Sequence, residues 1–599
     1  MSEYRAPLKD MNFLLKHVIG LAEVASLPGC EEVSDDVVEA ILDEAGKFAG
    51  EVLAPLNAIG DRQGASLKDG VVTTPTGFKD AYWKFAEAGW TQISAPPEYG
   101  GQGLPHVVAT AVGEMWGSAN LAFKLCPLLT GGAIEALERH ASHELQTKFI
   151  PNMVTGKWTG TMNLTEPQAG SDLAQVRAKA VPQADGSYRI SGQKIFITYG
   201  DHDYTENIIH MVLARIEGAP EGVRGISLFI VPKFLVNADG SIGARNDVVC
   251  ASIEHKLGIH ASPTCVMMYG EKEGAAGYLV GEANRGLEYM FVMMNAARLG
   301  VGLEGVSVSE RAYQHAVAWA RERVQGRPVV PVQGNPKSVA IIHHPDVKRM
   351  LLTMRAYAEA TRALAYWAAA CLDIADRSQD EQQKRSHQAL VDLLIPIVKG
   401  WSTEVGIDVA SLGIQVHGGM GYIEETGAAQ YLRDARISAI YEGTTGIQAI
   451  DLVGRKVGRE GGQTALALLA EMQKVCTALD AANNGNLKAF GKVLAAGIAD
   501  ARRATDWIVA TFPNNPGAVG AGAVHYLKLM GTVIGGWMMG RAALVAAQQL
   551  ASGGDGDFLN AKILTTRFYG DHILTLSSAY ANAVVQGAES VLQMQEAYF

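Results

Sequence analysis

The hydrophobic period changes twice along this chain, and that change limits the folds open to it. From about residue 160 to 279 the sequence alternates with a period of two, in "KWTGTMNLT", "SYRISGQKIFIT", "IIHMVLARI" and "GISLFIVPKF". Alternation of that kind puts one side of a strand inward and the other outward. Asp185-Gly186 lies between two such runs, and that dipeptide is a strong hairpin signal. An antiparallel β domain is expected there. Before and after it, apolar residues recur at three- and four-residue steps. "DDVVEAILDEAGKFAGEVLAPLN" reads as a helix stopping near Pro55, and in the helix after 345 Val347, Met350, Leu351, Met354 and Tyr357 form one stripe. The fold class is α+β, mainly α. The expected domains are a helical one over 1–159, the β domain over 160–279, a helical bundle over 280–460 and a further helical domain over 461–599.

A net charge of −11 disfavours nucleic acid as the main partner, because a phosphate-binding surface is normally basic. The six cysteines (30, 126, 250, 265, 371 and 476) are scattered without a C-x-x-C pair. They read as reduced, mostly buried thiols of a cytoplasmic protein. The start, "MSEYRAPLKDMNFLL", lacks the basic, then apolar, pattern of a signal peptide. "LMGTVIGGWMMG", 529–540, is too short an apolar run to span a bilayer, so no transmembrane segment is expected. Its Gly531/Gly535 and Gly536/Gly540 spacing suits close helix packing. Contact with a membrane surface stays open as the second reading.

Two motifs lead elsewhere and are set aside. "GVGLEG", 300–305, matches G-x-G-x-x-G but sits in helical sequence without a preceding strand, so close helix packing is the better reading. "HHPD", 343–346, has no supporting acid or cysteine cluster, and no metal is expected. No G-x-S-x-G elbow occurs.

Four stretches carry chemistry. "MNLTEPQAGSDLA", 162–174, is a strand followed by a Pro turn and a Gly-Ser pair. Such a loop can aim backbone N–H groups and the hydroxyls of Thr165 and Ser171 at an anionic or carbonyl-rich ligand, although a plain turn would explain the same residues. "KIFITYG" places Phe196 and Thr198 on one face of an alternating strand. "QVHGGMGY", 415–422, has glycines that let backbone approach a ligand or end a helix. In "ISAIYEGTTGIQA" Glu442 stands alone among apolar residues; a solvated helix-start acid is the bland reading.

Together these stretches resemble the acyl-CoA dehydrogenase family. "LTEPQAGSDLA" and "QVHGGMGYIEETGAAQYLRDARI" match its two signatures, and Gln415 precedes Glu442 by 27 residues, as in familiar members. The likeness covers about 1–455, in the order helical, β, helical. "YRAPLKDMNFLL", "YEGTTGIQA" and the C-terminal extension resemble an extended branch of the family. The resemblance implies FAD as cofactor and conversion of an acyl-CoA thioester to a trans-2-enoyl-CoA. It puts Glu442 in the position of the base that removes the α-proton. Such a base is expected to be dry and untied by a salt bridge, so that its pKa rises when substrate displaces water. Ala297 occupies the alternative base position and cannot accept a proton.

The resemblance also implies cofactor contacts at Met162, Leu164, Thr165, Gly170, Ser171, Phe196, Thr198, Thr444 and Gly446. Arg323, Gln415, Gly418 and Gly419 are implied to reach FAD from a partner subunit. Substrate contacts are implied at Ser171, Asn295, Arg298, Tyr441 and Gly443. A homodimer follows, with electron-transferring flavoprotein as electron acceptor. Gly446 replaces a common glutamine, and the added "PVVPVQGNPKS" separates Arg323 from His344, which puts a flavin contact by His344 in doubt. Gly131 and Gly132 either leave room at the end of an acyl tunnel or break a helix. Fatty acyl-CoA esters of medium or long chain and 3-methylthiopropionyl-CoA are all compatible with these residues. An acyl-CoA oxidase using oxygen, or a silent helical scaffold, are the rival functions.

Overall fold

The computed structural model describes residues 3–331, 334 and 337–599; parts of the "PVVPVQGNPKS" insertion lie outside them. The chain forms two compact units. One comprises Met1–Gly46, Pro105–Ser118 and Val301–Phe599; the other comprises Lys47–Leu104 and Ala119–Gly300.

The second unit holds the strands. A small hairpin pairs β1 (Ser66–Lys68) with β2 (Val71–Thr73) around Asp69-Gly70, both at positive φ, as a tight turn of mirror-image type requires. The main sheet uses β3 (Trp158–Asn163), β4 (Lys179–Pro182), β5 (Tyr188–Thr198), β6 (Asn207–Ile216) and β7 (Ile226–Pro232). After the ribbon β8 (Phe234–Val236) and β9 (Ile242–Arg245), the sheet resumes with β10 (Val248–Ile253), β11 (Thr264–Tyr269) and β12 (Ala275–Leu279). β5 pairs with β12, β12 with β7, β7 with β6, β6 with β4, and β4 back with β5, so these strands close a ring. The hairpin at Asp185-Gly186 joins β4 to β5 as expected.

The sheet is mixed rather than purely antiparallel: β3 and β4 both run parallel to β6. Parallel neighbours need a long crossover, and the chain between β3 and β6 supplies it by passing through β4 and β5. β3 is buried along its whole length and packs into a core with Phe149, Ile150, Met153, Met211 and Leu228. This core holds the end of β3, where the loop of interest begins.

In the other unit the long helices Pro345–Arg377, Glu381–His417 and Pro516–Ala551 pack together. Met350, Leu351 and Met354 of the expected stripe are buried, and Val347 and Tyr357 half-buried. Helix Pro516–Ala551 is long and apolar enough to cross a membrane, yet 83% of its most apolar stretch is buried inside the protein. Its glycines explain how: a methyl group at Gly531 would lie 2.3 Å from Trp401, and one at Gly535 2.8 Å from Trp401 and Tyr569. The "GVGLEG" glycines also serve helix contact. They lie within helix Gly286–Glu322, and a methyl group at Gly305 would lie 2.0 Å from the Ser402 carbonyl.

Two local expectations are corrected. The helix at 35–63 does not stop near Pro55: Asp35–Phe48 continues through a π turn, Ala49–Leu53, into Ala54–Gln63. Pro55 sits in the first turn of that last piece, where its missing N–H costs little. Gly131 and Gly132 do not break a helix either, because Leu121–His140 runs through both.

Candidate active site

The loop after β3 is built around one buried acid. Glu166 and Ala169 exchange backbone hydrogen bonds of 3.0 and 2.9 Å, which closes the turn over Pro167 and Gln168. The Glu166 carboxylate accepts from Lys194 Nζ at 2.8 Å and from the N–H groups of Arg177 and Ala178 at 2.7 and 3.0 Å. Lys194 also donates to the Leu164 carbonyl at 2.9 Å. Burial alone would raise the Glu166 pKa, but the Lys194 ammonium and the two N–H donors outweigh it and hold the group below the usual carboxylate value. These bonds pin the loop at both ends. Met162 and Leu164 are buried, Thr165 is half-buried, and Gly170 and Ser171 are exposed at the tip. No atom lies within 4 Å of where a side chain at Gly170 would start.

Strand β5 meets this loop through the Ile195 N–H, which donates to the Thr165 carbonyl at 2.9 Å. β5 is not the simple alternating strand expected at "KIFIT". Cys265 pairs with Ile197 and Met267 with Lys194, so two residues, Ile195 and Phe196, oppose one on β11. Phe196 takes φ +59° at this bulge. The phase change turns both Lys194 and Ile197 inward and leaves Phe196 59% exposed, with Thr198 half-buried. An aromatic ring is thus held outside the core on the strand that meets the loop.

In the same unit Arg298, buried, donates to Asn295 Oδ1 at 3.4 Å, and Asn295 is exposed. Ala297 is buried beside them. A methyl group at Gly132 would lie 3.1 Å from Met293, whereas one at Gly131 would meet open space.

In the helical unit, Glu442 stands just before helix Thr445–Asp451 and takes φ +55°, a left-handed conformation that costs a non-glycine residue energy. Gly443 follows at φ +86°. Thr444 caps the helix by accepting from the Ile447 N–H at 3.2 Å, and Gly446 lies in its first turn. Tyr441 donates its hydroxyl to Glu304 at 2.6 Å. Burial and the Glu304 carboxylate keep that phenol protonated far above its ordinary range. Its polar end is therefore turned to Glu304. Glu442 is half-buried rather than sealed from solvent.

The remaining residues of the unit lie on its surface. Gln415 is exposed on the last turn of Glu381–His417, and the Gly418 N–H donates back to its carbonyl. Gly418 adopts φ 63°, ψ −144°, a conformation essentially limited to glycine. Gly418 and Gly419 are exposed, with open space where side chains would start. Arg323 is exposed just beyond helix Gly286–Glu322. His344 bonds the Gln325 carbonyl at 2.7 Å, so it ties down the chain after Arg323.

The fold thus brings Met162, Leu164, Thr165, Gly170, Ser171, Phe196 and Thr198 together in one unit through the Thr165–Ile195 bond. It brings Tyr441, Glu442, Gly443, Thr444 and Gly446 together in the other. Three contributors are absent from the sequence reading: Lys194, Lys399 and Gln448. Lys399 donates to the Gly443 carbonyl, and Gln448 to the carbonyls of Glu442 and Gly443. Lys399 carried a signal, since a lysine inside "DLLIPIVKGW" needs a specific partner to be buried.

A flat ring system with a diphosphate fits these surfaces. In one unit Phe196 offers a ring face and the pinned loop offers Ser171 and a backbone edge at Gly170; the other unit, by itself, exposes a bare backbone edge at Gly418–Gly419. Comparison with known proteins gives the class, a flavin-dependent dehydrogenase of acyl thioesters.

The N-terminal, middle and C-terminal domains of acyl-CoA dehydrogenase match residues 35–157, 161–270 and 284–457. An acetyl-CoA dehydrogenase C-terminal-like domain matches 468–595. The chain is 49% identical to the 3-methylmercaptopropionyl-CoA dehydrogenase of Ruegeria pomeroyi, over 98% of this chain and 99% of that protein. It is 34% identical to the broad-specificity linear acyl-CoA dehydrogenase FadE5 of Mycobacterium tuberculosis, over the whole of both. The structure of Caenorhabditis elegans ACDH-11 in complex with C11-CoA shares the fold, with a TM-score of 0.76 at 19% identity, covering 100% of this chain and 97% of that one. The chain belongs to the acyl-CoA dehydrogenase family and is an FAD-dependent acyl-CoA dehydrogenase.

Proposed function

We propose that this enzyme desaturates a short acyl-CoA thioester of the 3-methylthiopropionyl type, with Glu442 as the base. One observation carries the base: Glu442 is a non-glycine residue held left-handed at the mouth of a helix, a strained conformation of the kind kept where function needs it. Glu442 takes the proton from the carbon α to the thioester. FAD, when bound, accepts the hydride leaving the β carbon. The proton and the hydride together account for the new carbon–carbon double bond. Backbone N–H groups at the 442–444 turn offer donors for the enolate-like charge on the thioester oxygen. Met162, Leu164, Thr165, Gly170, Ser171, Phe196 and Thr198 would hold the flavin; Asn295 and Arg298 would meet the substrate.

The 49% identity over nearly the full length to a 3-methylmercaptopropionyl-CoA dehydrogenase supports the choice of acyl group. A kinetic series from four to eighteen carbons, with 3-methylthiopropionyl-CoA beside it, tests it. The highest kcat/KM for 3-methylthiopropionyl-CoA is expected. A clear preference for medium or long chains would overturn the substrate and leave the class intact.

A second copy of the chain is the proposed partner. Arg323, Gln415, Gly418 and Gly419 are exposed, and so are Met420, Tyr422 (85%) and Ile423 beside them. That combination of bare backbone and apolar side chains suits a homodimer in which each copy completes the flavin site of the other. Sedimentation of the holoenzyme at dimer mass supports it; a monomer with full flavin content contradicts it. Electron-transferring flavoprotein is the proposed acceptor, in the cytoplasm. Reduction of that protein without hydrogen peroxide is expected, and stoichiometric peroxide at full turnover would make the enzyme an oxidase.

A further inference from the structure

The left-handed turn at Glu442 is gripped from behind. The Lys399 side chain is fully buried in helix Glu381–His417, and its Nζ donates to the Gly443 carbonyl at 2.6 Å. Gln448, also fully buried, donates through Nε2 to the Glu442 carbonyl at 3.0 Å and to the Gly443 carbonyl at 3.4 Å. Two successive carbonyls are thereby turned toward interior donors. A peptide unit is planar, so fixing its carbonyl fixes its N–H in the opposite direction. The N–H groups of Gly443 and Thr444 must then point away from Lys399 and Gln448. The same bonds offset the cost of φ +55° at Glu442, a conformation disfavoured for a residue with a Cβ.

Further supports act on the flanks. Tyr441 is tied to Glu304 at 2.6 Å, and the Thr445 hydroxyl donates to Glu404 at 2.7 Å. Glu442 is thus bracketed by fixed neighbours on both sides. Gly443 leaves little slack of its own: a methyl group there would lie 2.7 Å from Gln448 Nε2.

We propose that Lys399 and Gln448 are positioning residues for proton abstraction: they hold the Glu442–Gly443 turn in the conformation that aims the carboxylate. This rests on Glu442 being the base. Without the grip, the chain relaxes toward the ordinary right-handed or extended region, and the carboxylate swings off its line to the α carbon. Misplacement of about an ångström can slow a reaction by about a hundredfold while binding is little changed. A purely structural lysine would instead alter flavin content or melting.

The test is anaerobic stopped-flow bleaching of the flavin by 3-methylthiopropionyl-CoA, in the holoenzymes of wild type, Lys399→Met, Gln448→Met and Glu442→Gln. Lys399→Met and Gln448→Met are expected to keep their flavin and their half-saturating thioester concentration, and to bleach at least about tenfold more slowly. Bleaching of either at the parent rate overturns the grip. Loss of flavin or of cooperative melting in both makes the role structural and also counts against it. Glu442→Gln separates the two readings. If that variant bleaches normally, the base assignment fails and the grip with it. If it is silent while Lys399→Met is normal, only the grip fails.

Discussion

Lys194 donates to Glu166 at 2.8 Å with both side chains buried, and that pair ties strand β5 to the loop that carries Gly170 and Ser171. Lys194→Met removes one charge and leaves the other buried without its countercharge. Breaking a buried pair from one side costs about 3–5 kcal/mol. Urea unfolding of the Lys194→Met apoprotein is expected to show a loss of that order, with weaker FAD binding. Unchanged stability would mean that the pair does not hold the loop.

The same pair sets an acid limit. Glu166 has a folded-state pKa below its ordinary 4.5, so its contribution to stability is fully present above that value. It is lost as pH falls through the lower, folded-state value. Stability measured from pH 7 downward is expected to fall more steeply below about 4.5 in the wild type than in Glu166→Gln. Equal slopes would contradict the assignment.

Phe196 is 59% exposed, so the core gains little from its ring. Phe196→Ala is expected to leave apoprotein stability within about 0.5 kcal/mol. If the ring packs on the flavin, FAD affinity falls about three- to tenfold, the range of a lost aromatic contact. Fluorescence titration of apoprotein with FAD measures it.

Two glycines in long helices are expected to respond oppositely to alanine. Gly531→Ala drives a methyl group into Trp401 and is expected to cost about 1–3 kcal/mol. Gly131→Ala meets open space inside a helix and is expected to add about 0.5–1 kcal/mol. Thermal and urea unfolding of both variants check the pair.

Much of the fold is legible in the sequence because the hydrophobic period is a local property. The change of period near 160 and 280, the Asp185-Gly186 hairpin and the glycine-lined helix at 529–540 all follow from neighbours in the chain. The hairpin at Asp69-Gly70 carries the same dipeptide, but its three-residue strands are too short to show alternation inside helical sequence. The parallel pairing of β3 with β6 is not local, and no pattern in either strand announces it. Nor does the alternation in "KIFIT" reveal the bulge at Phe196, which depends on what β11 places opposite.

The site divides along the same line. Glu442 and the exposed glycines stand out through motif context. Lys194 lies 28 residues from Glu166, and Lys399 lies 44 from Gly443; only the folded chain makes those pairs. Sequence marks a lysine in an apolar helix as costly, without saying which carbonyl compensates it. The expectation of a dry Glu442 meets a half-buried side chain.

Proton abstraction by Glu442 is read out by the rate of flavin bleaching in Glu442→Gln holoenzyme mixed anaerobically with 3-methylthiopropionyl-CoA. A positioned general base contributes about 10²–10⁴-fold. Bound flavin, unimpaired thioester binding and bleaching slowed by at least about 10²-fold are expected. Bleaching at the wild-type rate would contradict proton abstraction by Glu442.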